Sequence, residues 1–260
     1  MEFEIIFSIL IPFIGTILGS ALIFVIKKMN DGILRAFSGF AAGVMVAASI
    51  WSLIIPSFEA VEEQMGKLSF IPVIIGLWLG FGFLMLLDKV IPHQHPDSEE
   101  VEGPRSNLKK STMTSLAVAL HNLPEGIAVG VVLASSQVQN TNVTITMAIA
   151  LAIGIAVQNF PEGAIVSVSM NSSGVSKKNS FGLGVLSGAV EPLGAILTFV
   201  LVDLLHPALP YLLSFAAGAM LYVVVEELVP EMTKGKHSHV GTILFGVGFS
   251  LMFILEVISG

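Results

Sequence analysis

The sequence predicts an all-α membrane protein in which eight helices cross the bilayer. Of its 260 residues, 54% are hydrophobic and 12% are charged, about half the charged fraction of a soluble domain. The apolar residues also form runs of the length that a helix needs to cross a bilayer, about 20 residues. Eight such runs lie at about 5–26, 33–57, 70–91, 112–134, 143–169, 180–204, 207–230 and 240–259.

The eight runs leave room for one transmembrane domain, residues 1–260, and for no separate soluble domain. The longest polar segment, at about 92–111, is first acidic and then basic, and we expect a mobile cytoplasmic loop there. The first run is not expected to be a cleaved signal, because it begins with Glu2 and Glu4 instead of Lys or Arg. The chain has no cysteine, which excludes disulfides and thiolate metal ligands.

The basic residues predict the orientation of the chain. Eleven of the twelve Lys and Arg lie in alternate connections or at the adjoining helix ends, and Lys67 is the exception. The positive-inside rule places such connections in the cytoplasm. In the cell membrane we therefore expect both termini outside and cytoplasmic loops at 27–35, 92–111, 171–179 and 232–239.

Short motifs recur in matching order in the two halves of the chain. FAAGVM at 40–45 in the second run returns as FAAGAM at 215–220 in the seventh. The third and eighth runs share a weaker similarity, and so do the first and sixth (PFIGTIL and EPLGAIL). Because paired runs cross in opposite directions, the order predicts inverted repeats, runs 1–3 and 6–8, around runs 4 and 5, as in many transporters. The common composition of membrane helices is the alternative explanation.

Two polar motifs interrupt the fourth and fifth runs. HNLPEG covers 121–126 and QNFPEG covers 158–163, so the pattern Asn-x-Pro-Glu-Gly appears twice. A proline inside a helix lacks an N–H and clashes with the carbonyl four residues earlier, so we expect kinks at Pro124 and Pro161. The glycine that ends each motif is expected to permit close approach of a neighbouring helix.

Three carboxylates, Glu125, Glu162 and Glu191, lie near the centres of their runs, where inserting one charged residue costs about 2.5–3.5 kcal/mol. No Lys or Arg lies at that depth, so bound protons or a bound cation must balance the charge. Residues three and four positions apart share a helix face. The side chains placed in this way beside the first two glutamates are His121, Asn122, Gln158 and Asn159.

The chemistry of these seven side chains favours a cation site. Imidazole, amide and carboxylate ligands without thiolates suit a divalent first-row metal of borderline hardness. A proton relay could use the acids and the histidine, but it does not require two sets of amides. Hydrogen bonding between helices accounts for the amides, but it leaves the carboxylates uncompensated. We expect no resident cofactor, no nucleic acid and no enzymatic reaction.

Further acids and histidines extend towards both membrane faces, and we predict a cation path along them through the central site. Towards the outer face lie Glu59 at the end of the second run, Glu62, Glu63, Asp203 and Glu256. Towards the inner face lie Glu226, Glu227, Glu231 and the loop residues His93, His95, His237 and His239. For the four loop histidines, ordinary solvated side chains are an equally good interpretation.

Taken together, these motifs resemble the ZIP (Zrt/Irt-like) metal transporters, in particular their GufA-like prokaryotic branch. The resemblance covers essentially the whole chain and depends on HNLPEG, QNFPEG, the EP pair at 191–192 and AAGVMVAASIWSLIIP at 41–56. It implies an eight-helix bundle with inverted repeats, commonly a dimer, that moves divalent metal towards the cytoplasm.

The resemblance also implies specific ligands. It predicts a first metal position at His121, Glu125, Gln158 and Glu162. A second position, sharing two of these glutamates, is predicted at Asn122, Glu125, Asn159, Glu162 and Glu191. It implies a path through Met45, Ser52, Glu59, Glu226 and Glu227, the first three at the entrance and the last two at the exit. Some relatives have aspartate in place of Asn159, so we expect weaker occupancy of the second position here.

The sequence therefore predicts a transporter that imports Zn²⁺, with Fe²⁺, Mn²⁺, Co²⁺ and Cd²⁺ as further candidates, by alternating access around a midplane site. The metal is the substrate, and a second copy of the chain is the expected partner in the lipid bilayer. The alternatives are a channel-like path, a proton-coupled carrier of another solute and an intramembrane metalloenzyme. The metalloenzyme is disfavoured because the chain has no HExxH motif.

Overall fold

A computed structural model describes residues 2–26, 28–94, 101–138, 141–201, 206–235 and 238–260. Within these ranges the chain is almost entirely helical, and eight helices are long and apolar enough to cross a membrane. We number them α1 Glu2–Phe24, α2 Asp31–Leu68, α3 Phe70–Val90, α4 Lys110–Ser135, α5 Ile145–Ser172, α6 Lys177–Val200, α7 Leu209–Thr233 and α8 Val240–Ser259. The predicted all-α class and the predicted number and order of spans are confirmed.

The length of α2 differs most from the prediction. The apolar run ends near residue 57, whereas the helix continues to Leu68. The polar sequence after Pro56 contains good helix formers. It has no helix breaker before Gly66, whose φ of 52° lies in the left-handed region and ends the regular helix. The glutamates expected at and beyond the end of this helix therefore lie inside it, namely Glu59, Glu62 and Glu63.

Helices α2 and α7 each contain a π-helical segment, Ser49–Ile54 and Val224–Leu228. A proline follows each segment, Pro56 in α2 and Pro230 in α7. Because proline cannot donate the helical hydrogen bond, the turn before it must rearrange. Single π turns of this kind occur frequently at functional sites.

The kinks expected at Pro124 and Pro161 stay a prediction, since α4 and α5 run through their prolines without interruption. The interruption lies in α6 instead, where a turn at Ala189 separates two helical pieces, Lys177–Gly188 and Val190–Val200. Glu191 follows this turn directly and lies in the first turn of the second piece. Free backbone N–H groups at a helix start favour a carboxylate there.

The helices associate in four close pairs: α1 with α5, α4 with α6, α2 with α8, and α3 with α7. Glycine brings the two backbones together in each pair. An ideal Cβ on Gly19 of α1 would lie 1.9 Å from a backbone oxygen of α5, and one on Gly126 of α4 would lie 2.2 Å from a backbone oxygen of α6. Gly43 and Gly80 make the corresponding approaches in the other two pairs.

The four pairs form two groups of helices. Helices α1, α4, α5 and α6 make group A, and α2, α3, α7 and α8 make group B. The groups meet mainly where α4 and α5 pack against α2, α7 and α8, through a continuous core of buried apolar side chains. Helices α4, α5 and α2 are the most deeply buried spans. Large exposed apolar side chains such as Trp78 and Leu193 cover the outside, as expected for a protein surrounded by lipid.

The connection between α3 and α4 is partly closed by a backbone pairing. His93 and Glu102 exchange hydrogen bonds of 3.1 and 2.9 Å between their main chains. His93 is completely buried, because this pairing folds the loop back over it. Its interpretation as a solvated loop residue is therefore wrong. His239 is exposed. The predictions for His95, His237 and Asp203 concern residues outside the described ranges.

Replacing Gly19 with alanine is expected to destabilise the protein by about 1–3 kcal/mol, the usual cost of overpacking, because the new Cβ would overlap the backbone of α5. Gly82→Ala in α3 is a matched control, since no described atom lies within 4 Å of an ideal Cβ at that position. The control is expected to leave stability unchanged or slightly higher. Thermal unfolding in detergent measures both variants, and equal midpoints would show that the close contact is unimportant.

Candidate metal-binding site

The polar motifs of α4 and α5 meet beside the interrupted part of α6. Gln158 Nε2 donates a short hydrogen bond to Glu125 Oε1, which joins α5 to α4. Asn159 lies close enough to interact with the carboxylates of Glu125 and Glu191. Asn122 Nδ2 donates to the backbone oxygen of Ser187 in α6 at 3.3 Å. Five of the seven predicted site residues are therefore neighbours in the structure, and each is at most 2% exposed.

Several polar atoms of this cluster are buried without a partner. Burying a polar group without a hydrogen bond costs about 1–3 kcal/mol, so native proteins rarely keep several in one place. The unpartnered oxygen atoms here are Asn122 Oδ1, Glu125 Oε2, Gln158 Oε1 and Glu191 Oε2. Carboxylate and amide oxygens are ligands that divalent cations accept, so these four oxygens are candidate ligands.

Glu162 lies on the same side of α5 and is partly exposed. No described residue donates a hydrogen bond to its carboxylate. The charged side chains that act on it are all acidic, namely Glu125, Glu191, Glu227 and Glu231. Like charges held together at low dielectric repel strongly, so Glu162 has the greatest need of a positive partner.

His121 points from α4 towards α7. Its Nδ1 lies 2.9 Å from Glu227 Oε2 in the π-helical segment of α7, and the two side chains are 10% and 20% exposed. A histidine that binds a metal usually bonds a carboxylate or carbonyl through its other nitrogen. The contact of His121 with Glu227 is of this kind. It also places Glu227, predicted at the exit, directly against a predicted ligand.

Sequence reasoning missed two partners of this cluster, Thr16 and Ser187. Thr16 Oγ1 in α1 donates to Glu191 Oε1 at 2.9 Å, and the backbone of Ser187 accepts from Asn122. Thr16 stands out weakly as a polar residue in the apolar motif PFIGTIL. A backbone acceptor such as that of Ser187 leaves no signal in the sequence.

The predicted path residues lie on both sides of the cluster. Met45 is fully buried in the apolar core, and Ser52 donates a short hydrogen bond to Glu256 of α8, which is also buried. Glu226 is exposed. At the C-terminal end of α2 lies a pocket of about 620 Å³, hereafter the acidic pocket, lined by Glu59, Glu62, Glu63, Ser135, Asn142 and Leu213. At the opposite end lies a pocket of about 500 Å³, hereafter the basic pocket, lined by Lys28, Asp31, Arg35, Ser172, Glu231 and Lys234.

Within the described ranges, no three His, Asp or Glu side chains are arranged to hold a metal by themselves. The amides explain this, because Asn122, Gln158 and Asn159 occupy positions between the acids. The Nε2 group of Gln158 now stabilises Glu125. Turning that amide about its last bond would present its unpartnered Oε1 to a cation instead. Imidazole, amides and carboxylates together can supply a divalent metal with a complete set of ligands.

The fold and the cluster define a polytopic membrane protein with a buried set of carboxylate and amide side chains between its central helices. Sequence comparisons agree with this class. The profile described as ZIP Zinc transporter matches residues 111–256, which include both polar motifs and Glu191. The predicted resemblance to this family is confirmed.

Relatives match along most of the chain. It is 33% identical to Zinc transporter ZIP11 of Xenopus tropicalis over 93% of each chain, and 35% identical to Zinc transporter GufA of Myxococcus xanthus over 85% of each chain. It is 32% identical to Zinc transporter ZIPB of Bordetella bronchiseptica over 95% of this chain and 79% of that protein. The chain belongs to the ZIP zinc transporter family.

Asn159→Asp is expected to tighten binding of Zn²⁺ or Cd²⁺ by about tenfold, because the number of ligand charges tunes the affinity of such sites and Asn159 lies beside Glu125 and Glu191. Tighter binding should also slow release, which isothermal titration and efflux from preloaded liposomes would measure. Asn179→Asp adds the same charge at an exposed position of α6 and serves as the control. Unchanged affinity in Asn159→Asp would count against this position as a ligand.

Proposed function

We propose that the protein transports Zn²⁺ across the membrane and that the cluster at Glu125, Glu162 and Glu191 carries the ion. The main support is the coincidence of two buried carboxylates and a partly exposed third, without a basic neighbour among the described residues, and four buried oxygens without a partner. The relatives named above are called zinc transporters. Fe²⁺, Mn²⁺, Co²⁺ and Cd²⁺ accept the same ligand types and are proposed as further substrates.

We propose two adjacent metal positions within the cluster. Gln158 and Asn159 are consecutive residues that both interact with Glu125, which supports a bridging role for this carboxylate. Asn159 also interacts with Glu191, which supports a second position displaced towards α6. Three carboxylates supply a charge of −3 against +4 for two dications, so the second ion is held more weakly than the first.

The proposed direction of transport is into the cytoplasm of a cell whose plasma membrane holds the protein, with both termini outside. The distribution of basic residues supports this orientation. It makes the acidic pocket the outer one, where its glutamates attract cations. It makes the basic pocket the inner one, and that pocket includes Glu231, which acts electrostatically on Glu162.

The structure has the features expected of a state closed to the outside. Between the acidic pocket and the cluster, α4, α5 and α7 fill the interior with apolar side chains that are at most 1% exposed, namely Val129, Val132, Leu133, Leu151 and Leu213. On the other side of the cluster, Glu162 is partly exposed and His121 contacts Glu227. An ion would leave along this second route. For Met45 and Ser52, a place on the path is supported by the resemblance alone, whereas Glu59 also lines the acidic pocket and Glu226 is one of the acids towards the inner face.

Alternating access around inverted repeats is proposed as the mechanism. Inverted repeats make α1, α2 and α3 correspond to α6, α7 and α8, and α4 correspond to α5. Under this correspondence the pair α1–α5 matches the pair α6–α4, and the pair α2–α8 matches the pair α7–α3. All four pairs occur. The two related motifs end at Met45 and Met220. Each π-helical segment begins four residues later, at Ser49 and Val224.

The glycine contacts support motion between groups A and B. Between spanning helices, the close backbone approaches at glycine occur within one group or the other. Across the boundary, Gly154 of α5 meets the flexible side chain of Met252 in α8, a residue type that adapts to changing surroundings. The homodimer is a prediction from the resemblance alone.

Glu125→Gln or Glu162→Gln is expected to reduce Zn²⁺ uptake into proteoliposomes by more than about 100-fold. Changes in residues that merely support a ligand already cost about 10–100-fold, and these two remove a ligand charge. Glu2→Gln, an exposed residue at the start of α1, is the control. If either site variant took up zinc at the wild-type rate with normal insertion, that carboxylate would not belong to the transport site.

The orientation can be tested because the chain has no cysteine of its own. Single cysteines are introduced as Glu62→Cys in the acidic pocket and Ser172→Cys in the basic pocket, both at exposed positions. A membrane-impermeant maleimide is expected to label the first in intact cells and the second only in inside-out vesicles. The reverse pattern would invert the proposed topology.

A further inference from the structure

Thr16 of α1 contacts the cluster from a helix to which no ligand has been assigned. Its hydroxyl donates to Glu191 Oε1 at 2.9 Å, and both side chains are at most 2% exposed. The second oxygen of that carboxylate, Oε2, is buried and has no hydrogen-bond partner. We infer that Thr16 is a positioning residue, which anchors one oxygen of Glu191 so that the other faces the metal. This inference rests on the proposed function, because it takes Glu191 as a ligand.

The backbone around Thr16 is arranged to hold this contact. Gly15 and Gly19, on either side of it in α1, lie so close to α5 that an ideal Cβ would come within 2.1 and 1.9 Å of backbone oxygens. These approaches fix the depth and rotation of α1. On the facing side, a Cβ on Gly188 would lie 2.7 Å from Thr16 Cγ2 and 3.1 Å from Glu191 Oε1. Glycine at 188 therefore leaves the space in which the threonine and the carboxylate meet.

The anchor changes what Glu191 can do. A free glutamate has many rotamers and loses that freedom when it binds an ion, whereas a carboxylate held by a hydroxyl has already lost part of it. A hydrogen bond to an ionised acceptor is also about twice as strong as one between neutral groups. Thr16 thus presents one oxygen in a fixed direction while leaving the charge of Glu191 in place for the metal.

Helix α1 gains a function from this contact. The sequence motif PFIGTIL places Thr16 beside the glycine that approaches α5. The same helix surface thus packs on one ligand-bearing helix and donates to the carboxylate of another. Each helix of group A then contributes to the proposed site: α4 and α5 supply ligands, α6 supplies Glu191, and α1 orients Glu191.

The test is equilibrium binding of Zn²⁺ and of Cd²⁺ to the full-length purified protein, measured by isothermal titration. Thr16→Val keeps the shape and removes the donor, and it is expected to weaken binding at the second position by about 10–100-fold, the usual effect of losing a supporting hydrogen bond. Thr16→Ser keeps the hydroxyl and should restore most of the affinity. Ser20→Ala, one turn further along α1, removes a hydroxyl that bonds only a backbone oxygen at 3.4 Å and should bind like the wild type.

A double-mutant cycle separates positioning from packing. If Thr16 acts through Glu191, Thr16→Val causes no further loss of affinity in a Glu191→Gln background. Wild-type affinity in Thr16→Val, or the same fold loss in both backgrounds, would overturn the inference. Wild-type affinity in Glu191→Gln would instead remove Glu191 from the proposed site. Should Thr16→Val not yield a folded protein, Thr16→Ala enters the same cycle and is judged by the same outcomes.

Discussion

The architecture depends on one electrostatic constraint: negative charge is buried in the interior of a bilayer protein without a basic residue to neutralise it. Three carboxylates at that depth oppose insertion by roughly 10 kcal/mol. Helices α4 and α5, which hold two of them, are, with α2, the most buried of the eight spans. Amides, a histidine and a threonine surround the acids, and these groups orient the carboxylates without cancelling their charge. A mobile cation can then supply the positive charge that the protein lacks at this depth.

Much of the fold could be predicted because hydropathy reports directly on burial in lipid. The start of α3 at residue 70 and the bounds of α8 at 240–259 agree with the runs read from the sequence. The far end of α2 could not be predicted in this way, since Glu59, Glu62, Glu63 and Gln64 interrupt the apolar run. The helix propensity of these residues was the available signal, but the predicted end of α2 followed the end of the apolar run.

The prolines inside the helices show where a local rule is insufficient. Pro124 and Pro161 each remove a helical hydrogen bond, yet α4 and α5 continue, because tightly packed neighbours can absorb a single lost bond. In α6 the turn at Ala189 follows Gly188, and the carbonyl of Gly188 is the one that Pro192 would meet four residues later. Glycine and proline together open the helix where proline alone does not.

The site residues could be predicted as a set because helical spacing groups them within α4 and within α5. The contacts between distant helices could not be predicted. His121 and Glu227 are 106 positions apart, and Thr16 and Glu191 are 175 positions apart. Nothing in one sequence fixes the rotation or the depth of one helix relative to another. In the structure, close approaches at glycine fix both for α1 against α5 and for α4 against α6.

The unusual length of α2 has a geometric consequence. Its 38 residues correspond to about 57 Å at 1.5 Å per residue, nearly twice the hydrocarbon thickness of about 30 Å. A rod of that length must protrude into water, and its C-terminal third, with three glutamates, is the part that does so. This C-terminal part of the helix is in water and away from the lipid tails. Antibodies, proteases and dissolved ions can therefore reach it, while the rest of the helix is buried in the membrane.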